Sequence, residues 1–552
     1  MSELDPITAA IVGSALTYAS EEMGLAIRNA AYSPNIKERL DHSCALFDER
    51  GNLMAQAEHI PVHLGSLPWG LRRTLRWLAE RGRTPGPGEQ WVVNDPYLAG
   101  THLNDVTLIR PVFAGGELVA YAANKAHHAD VGGSAPGSMP PDARDLFSEG
   151  FIVPPIRLVR ADRIEDETVA LFQANSRTPA ARAGDLRAQI AGNVIGERRV
   201  IELVERYGTH VFRAAAARAL QTSETRMRAA LRALPDGDVN VRDFLEDAHG
   251  RPTIRLQVRL RKSGDRVRLD YTGTAAQLDV PLNAVYGVTL SGVYYVLRAL
   301  TDPTIPMNEG IFAPIEVQVP EGTLLNPRRP APVSGGNVET SMRNADLVLA
   351  AFARIAPGRV PAQSGGSMNN VIIGGVDSDG RAWSFYETNG CGMGARPSAD
   401  GIDGIHAHMT NTLNTPIEAI ERDFPLRITR YEFAPGTGGA GQFRGGCGLV
   451  RSIELTRGTA TVSLLADRHT LAPKGEAGGG DGCVGAHRLR SADALTSVPA
   501  KTTLSIRAGD RIEVQTAGGG GYGPASERGT AARERDRLAQ IARTEQRAPG
   551  PG

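Results

Sequence analysis

The chain has 552 residues, 41% of them hydrophobic and 22% charged, a globular balance in a chain too long for one ordinary core, so two or three domains are expected. Lys plus Arg number 61 and Asp plus Glu number 61, for a formal net charge of zero, which leaves no basic surplus to neutralise phosphates and argues against nucleic acid as a partner. Four cysteines without C-x-x-C spacing, no basic-then-apolar leader, and no apolar run near the ~20 residues of a membrane helix point to the cytoplasm and away from a membrane.

Asp5-Pro6 reads as a helix N-cap and first turn, followed by Ile7, Ile11, Val12, Leu16, Ala19, Met23 and Ala26 at helical spacing up to about Tyr32. Cys44–Phe47 and Leu53–Ala57 flank a polar turn and predict a hairpin, and a helix is expected over 67–81. Trp91-Val92-Val93 reads as a buried strand. The polar stretch 94–105 leads into strands at Val106–Val112 and Leu118–Ala123, the second ending at Lys125-Ala126-His127-His128. If these two strands pair as a hairpin, residues 105 and 127 meet in space. Residues 132–141 form a Gly/Pro loop, and 165–233 read as mostly helical, with the Arg-rich run 181–199 as a solvated face. Strict alternation at Ile254, Leu256, Val258 and Leu260, then Val267, Leu269 and Tyr271, predicts half-buried strands. Helices return at 286–301 and 341–355, and glycine with short strands dominates from 365. The fold class is mixed α+β and multi-domain, with a glycine-rich, β-containing C-terminal half. The expected division is 1–235, 236–525, and a polar helical or disordered tail 526–552.

His102 and Asp105 stand three apart in a loop, and His127 follows 22 residues after Asp105. Two neutral imidazoles and a carboxylate suit Mn, Fe or Zn and leave positions open. The same spacing also describes a histidine merely hydrogen-bonded to a carboxylate. Asn94, Asp95, His128 and Asp130 lie nearby in sequence. Asp95 and His128 are candidates for acid–base or positioning work, although Asn94-Asp95-Pro96-Tyr97 also reads as a turn. His406 and His408 would share one face of a strand. Asp41, His59 and His63 would line a polar pocket or serve as caps. Glycine runs at 335–336, 438–441 and 518–521 offer backbone amides to an anion. None matches a phosphate-loop or dinucleotide pattern, and no nucleophile elbow is present.

An ordered set of segments resembles the hydantoinase B/oxoprolinase family. These are Cys44-Ala-Leu-Phe-Asp, Ala57-Glu-His-Ile-Pro-Val-His-Leu-Gly, Asn94-Asp-Pro-Tyr, Gly100-Thr-His-Leu-Asn-Asp-Val-Thr, His127-His-Ala-Asp-Val-Gly-Gly, Pro136-Gly-Ser-Met-Pro-Pro, Gly335-Gly-Asn-Val-Glu-Thr, His408-Met-Thr-Asn-Thr and Gly518-Gly-Gly-Gly-Tyr-Gly. The match runs from about residue 5 to 525, with His42 in place of the Phe of many relatives. The family includes ATP-dependent hydantoinase, oxoprolinase and caprolactamase chains and the acetone carboxylase large subunit. The resemblance implies metal ligation by His102, Asp105 and His127, with Mn first and Fe or Zn as alternatives. It also implies substrate contacts from Asp41, His59, His406 and His408. ATP would be used by an actin-like, hydantoinase A-type partner subunit in a hetero-oligomer, and no cofactor-binding residue is expected in this chain. The implied activity is hydrolysis of a small cyclic amide such as a lactam or hydantoin. Ketone carboxylation, a non-haem iron oxygenase and a non-catalytic scaffold for the ATPase are the alternatives.

Overall fold

The computed structural model describes residues 4–57, 59–492 and 494–539. Glu58 and the end of the expected tail, 540–552, lie outside the described residues. Among the described residues, twelve α-helices and four sheets form a mixed architecture.

The first sheet carries seven strands: β1 (His42–Asp48), β2 (Leu53–Gln56), β3 (Gln90–Val93), β4 (Asp105–Ala114), β5 (Glu117–His127), β6 (Ile156–Arg160) and β7 (Arg163–Ile164). Their order is β2-β1-β5-β4-β3-β6-β7, and all neighbours run antiparallel. Both faces are covered. Helix Pro6–Ala30, capped by Asp5 through the amides of Ile7 and Thr8, packs Val12, Leu16 and Met23 with Cys44, Leu46 and Val112. The other face places Phe47, Ile109 and Tyr121 in a cluster with Leu67 and Leu71 of helix His63–Ala79 and Val293 of helix Tyr286–Leu300. Because β4 and β5 have a helix on each side, their central residues are buried on both faces and do not alternate.

A second sheet is built from Gly237–Leu245, Ile254–Ser263, Arg266–Asp270 and Ile315–Gln318, the last two parallel. Its middle strand alternates buried and exposed along Ile254–Ser263, as the sequence pattern requires. Two further sheets face each other across Val371, Ile373, Phe385, Ile453, Val462 and Val514.

The glycine runs of the C-terminal half have a packing purpose. Gly519 N donates to Gly446 O (2.9 Å), Gly439 N to Gly519 O (2.8 Å) and Gly520 N to Gln363 O (2.8 Å). A Cβ on Gly519 would fall 2.1 Å from Met393 O. These backbones lie directly against one another, so their amides are taken up inside this lattice rather than turned toward an anion.

His42 and His487 are buried. Burial holds both below the usual imidazole value, His42 at about 3 and His487 far down. The folded chain therefore keeps them neutral while the unfolded chain protonates near 6.5. Stability is fully present above about pH 6.5 and is lost as pH falls toward the folded values. Each such histidine removes up to about 1.4 kcal/mol per pH unit below 6.5. Urea titrations at pH 7, 6 and 5 should give steadily falling unfolding free energies, with proton uptake on unfolding. A flat profile would show that neither histidine is held neutral.

Candidate metal centre

The loop preceding β4 is shaped before any chemistry is considered. Asn94 Nδ2 donates to Leu103 O (3.0 Å) and Phe151 O (3.1 Å), while Asn94 Oδ1 accepts from Val153 N (2.6 Å). Gly100 turns the chain at φ 91°, and Asp105 N donates to His102 O (3.2 Å). That tight turn puts the side chains of His102 and Asp105 on one side. The β4–β5 register then sets Asp105 opposite His127 as direct cross-strand partners.

Three atoms converge there. His102 Nε2 lies 3.1 Å from His127 Nδ1 and 3.1 Å from Asp105 Oδ1, and His127 Nδ1 lies 3.4 Å from the same oxygen. A ligand triangle around a divalent ion with bonds of ~2.1 Å has edges of roughly 3.0–3.4 Å. All three residues are at most 2% exposed, and among the described residues His102 Nδ1 and His127 Nε2 find no hydrogen-bond partner. Among the described residues this is the one group of three or more His, Cys, Asp or Glu side chains that could hold a metal ion. The donor set and its spacing fit a divalent cation.

The electrostatics agree with that reading. Burial pushes the Asp105 carboxyl up, but His102, His127 and His63 around it outweigh burial and hold it well below the ordinary carboxylate range. Burial lowers His127 and His63, partly offset by Asp105. Asp105 is thus held as a carboxylate and burial favours the neutral His127 ring, the forms that ligation needs.

His63 enters from the helix opposite, with Nε2 3.5 Å from Asp105 Oδ2 and Nδ1 2.9 Å from Ser43 Oγ. Tyr386 stacks on His127 with ring centroids 4.7 Å apart and planes 12° apart. The cavity beside the triad is also lined by Asp41, Asn337, Thr388 and Met409. Lys125, buried two residues before His127, donates to Ala99 O and Thr101 Oγ1 (both 2.8 Å), and burial lowers it to about 8.

Of the four expected substrate contacts, Asp41 lines this cavity and the other three lie elsewhere. His59 is partly exposed and pairs with Glu21 at 3.3 Å. His406 and His408 do not sit on a strand. Their segment is an irregular turn with His408 at φ 54°, so the one-face argument fails. His408 instead packs inward, with Nε2 3.1 Å from Asp346 Oδ1. The two expected acid–base residues also stand outside the cavity lining. Asp95 caps the short helix Pro96–Ala99, accepts from Tyr97 N (3.1 Å) and pairs with Arg329. His128, next to His127 on the chain, meets Gln189 Oε1 at 2.8 Å, and burial holds it neutral. Sequence reasoning gave no role to Tyr386, and placed Asn337 only within a glycine segment. Their signals are one of three aromatics in a short strand and a lone amide after two glycines, neither distinctive by itself.

The chain is similar to known proteins in sequence and fold. A family model described as Hydantoinase B/oxoprolinase matches residues 5–525. An uncharacterized protein of Methanocaldococcus jannaschii is 45% identical over 95% of this chain and 92% of its own length. The 5-oxoprolinase 1 of Arabidopsis thaliana is 35% identical over 91% of this chain, which spans only 40% of that longer protein. The crystal structure of the ATP-dependent caprolactamase from Pseudomonas jessenii superposes with a TM-score of 0.89 at 30% identity, covering 98% of this chain and 95% of the other.

Proposed function

This chain belongs to the Hydantoinase B/oxoprolinase family, and from that premise we propose that it completes the ATP-dependent hydrolysis of a small cyclic amide. The observation that carries the proposal is the buried convergence of His102 Nε2, His127 Nδ1 and Asp105 Oδ1 beside a cavity. An amide carbonyl is a poor electrophile because its nitrogen donates into it, so ring opening needs activation. The related caprolactamase is ATP-dependent by name, and the 5-oxoprolinase carries a long stretch beyond the match. We assign carbonyl phosphorylation to a separate ATPase subunit of the hydantoinase A type and the hydrolytic step to this chain.

His102, Asp105 and His127 would hold a divalent cation, Mn first with Fe or Zn as alternatives, which would supply Lewis-acid polarisation of an oxygen and a lowered pKa for water. The protein's own part is positional. His102 and His127 present their converging ring nitrogens, and Asp105 supplies the negative charge. His63, held in turn by Ser43, stands against the second carboxylate oxygen of Asp105 and helps to orient it. Tyr386 keeps the His127 ring from turning. Asp41 faces the cavity as a carboxylate able to take a proton or hold an N–H group. Asp95 and His128, already bonded elsewhere, steady the loop and the strand end rather than carry protons.

The purified chain, combined with its ATPase partner, ATP and Mn(II), should open a lactam or hydantoin ring with matching phosphate release. Bicarbonate-dependent carboxylation instead of ring opening, or no ring opening across five- to seven-membered amides, would contradict the proposal.

A further inference from the structure

We propose that Glu339 is a positioning residue for the metal centre. Through Asn370 it fixes the Tyr386 ring, and that ring sets the plane of His127, an inference that rests on the metal-site reading above. A ligating histidine is ordinarily held by a hydrogen bond from its second ring nitrogen. His127 lacks that tie, since its Nε2 finds no hydrogen-bond partner among the described residues. What lies against the ring instead is Tyr386, with centroids 4.7 Å apart and planes 12° apart. Stacking tolerates a range of offsets, so the phenol has to be fixed from elsewhere.

A chain of hydrogen bonds does this. Tyr386 Oη donates to Asn370 Oδ1 (2.9 Å). Asn370 opens the strand Asn370–Val376, two residues before Ile372, the cross-strand partner of Tyr386, so the two side chains are diagonal neighbours on one face. Asn370 Nδ2 donates to Leu465 O (2.8 Å) and to Glu339 Oε1 (3.0 Å). Two acceptors at its nitrogen fix which way the carboxamide points, and its oxygen is thereby committed to the tyrosine. Glu339 Oε1 also accepts from Met368 N (3.2 Å), and Met368 lines the cavity beside the triad.

Glu339 has the anchorage this task needs. It lies in a π-helical turn, Gly336–Thr340, just ahead of helix Ser341–Ile355, a local geometry that concentrates at functional sites. Gly336 N donates to Pro281 O (2.9 Å), and Asn283 O leaves no room for a Cβ on Gly336. Glu339, Asn370 and Tyr386 are at most 4% exposed, so water does not compete for their bonds. Burial, with Asp467 nearby, pushes the Glu339 carboxyl up to about 8. At neutral pH it is mainly the neutral acid, with Oε1 still an acceptor. Glutamine offers the same acceptor in the same shape, and alanine offers none.

The test is titration of the purified full chain with Co(II), whose visible absorption reports ligand geometry. The parent should bind it near-stoichiometrically. Tyr386→Phe keeps the ring and removes its anchor. It and Glu339→Ala should each bind Co(II) about ten- to a hundredfold more weakly, with the same change in band shape. Glu339→Gln should stay within about threefold of the parent and keep the parent spectrum. Because both groups act on one ring, the Tyr386→Phe/Glu339→Ala double variant should be no weaker than either single variant. Tyr386→Phe leaves the turn untouched and reads the chain even if Glu339→Ala is insoluble. Parent-like affinity and spectrum in Tyr386→Phe would overturn the inference. So would additive losses in the double variant, or Glu339→Gln binding as weakly as Glu339→Ala. A parent that binds no Co(II) would sink the metal-site reading together with this inference, whereas a parent and variants that all bind it alike would sink this inference alone.

Discussion

His102→Ala and Asp105→Ala are each expected to lower ring opening by the assembled complex at least about a thousandfold, because cation-assisted charge stabilisation is worth several kcal/mol. Each substitution removes one corner of a triangle whose edges are 3.1, 3.1 and 3.4 Å. Two ligands cannot hold the ion where a third was needed, so the two variants should be equally inactive and the double variant no worse. Folding should survive, since His102→Ala opens a small space in a loop still pinned by Asn94. ATP turnover by the partner should continue in both variants, separating loss of hydrolysis from loss of assembly. Activity within tenfold of the parent in either variant would make the triad a hydrogen-bonded group with no catalytic part.

Glu387→Ala should be the most destabilising single change near the site, at about 3–5 kcal/mol. Glu387 ends the strand Ala382–Glu387, directly after Tyr386, and is fully buried. Its two oxygens face two buried guanidiniums, Arg39 at 2.9 Å and Arg451 at 3.3 Å, and Oε2 also accepts from Thr415 N (3.0 Å). Removing the carboxylate leaves two positive charges in the interior without compensation. The cost therefore exceeds that of the cavity alone. Glu387→Gln keeps the shape and should fall between the parent and Glu387→Ala. Because Arg39 also lies 4.7 Å from the Tyr386 ring, the lesion should reach the ring stacked on His127. An unfolding free energy for Glu387→Ala within about 1 kcal/mol of the parent would show that the arginines have other compensation.

The hairpin that makes the site was legible because its parts are local. The strands flanking Gly115-Gly116 are strongly apolar, and pairing them brings residue 105 to residue 127 by register alone. Helix Pro6–Ala30 carried clear periodicity and a cap, and the helices expected at 286–301 and 341–355 form at Tyr286–Leu300 and Ser341–Ile355. What could not be read depends on long-range packing. His63 was named only as a pocket or cap residue, and Asn337 and Tyr386 come from two further elements whose distance from it a single sequence does not give. The π-turn at Gly336–Thr340 has no compositional signature, so Asn337 sat unnoticed beside two glycines. His406 and His408 misled because their spacing suits a strand while the backbone turns at a left-handed residue. The glycine runs misled in the same way, since close backbone packing and anion binding call for the same residue.

The most direct measurement is metal analysis of the purified parent beside His102→Ala and Asp105→Ala. The account predicts near-stoichiometric divalent metal in the parent and loss in both variants, with folding retained. Equal metal in all three, or none in the parent after Mn, Fe and Zn have each been supplied, would contradict it.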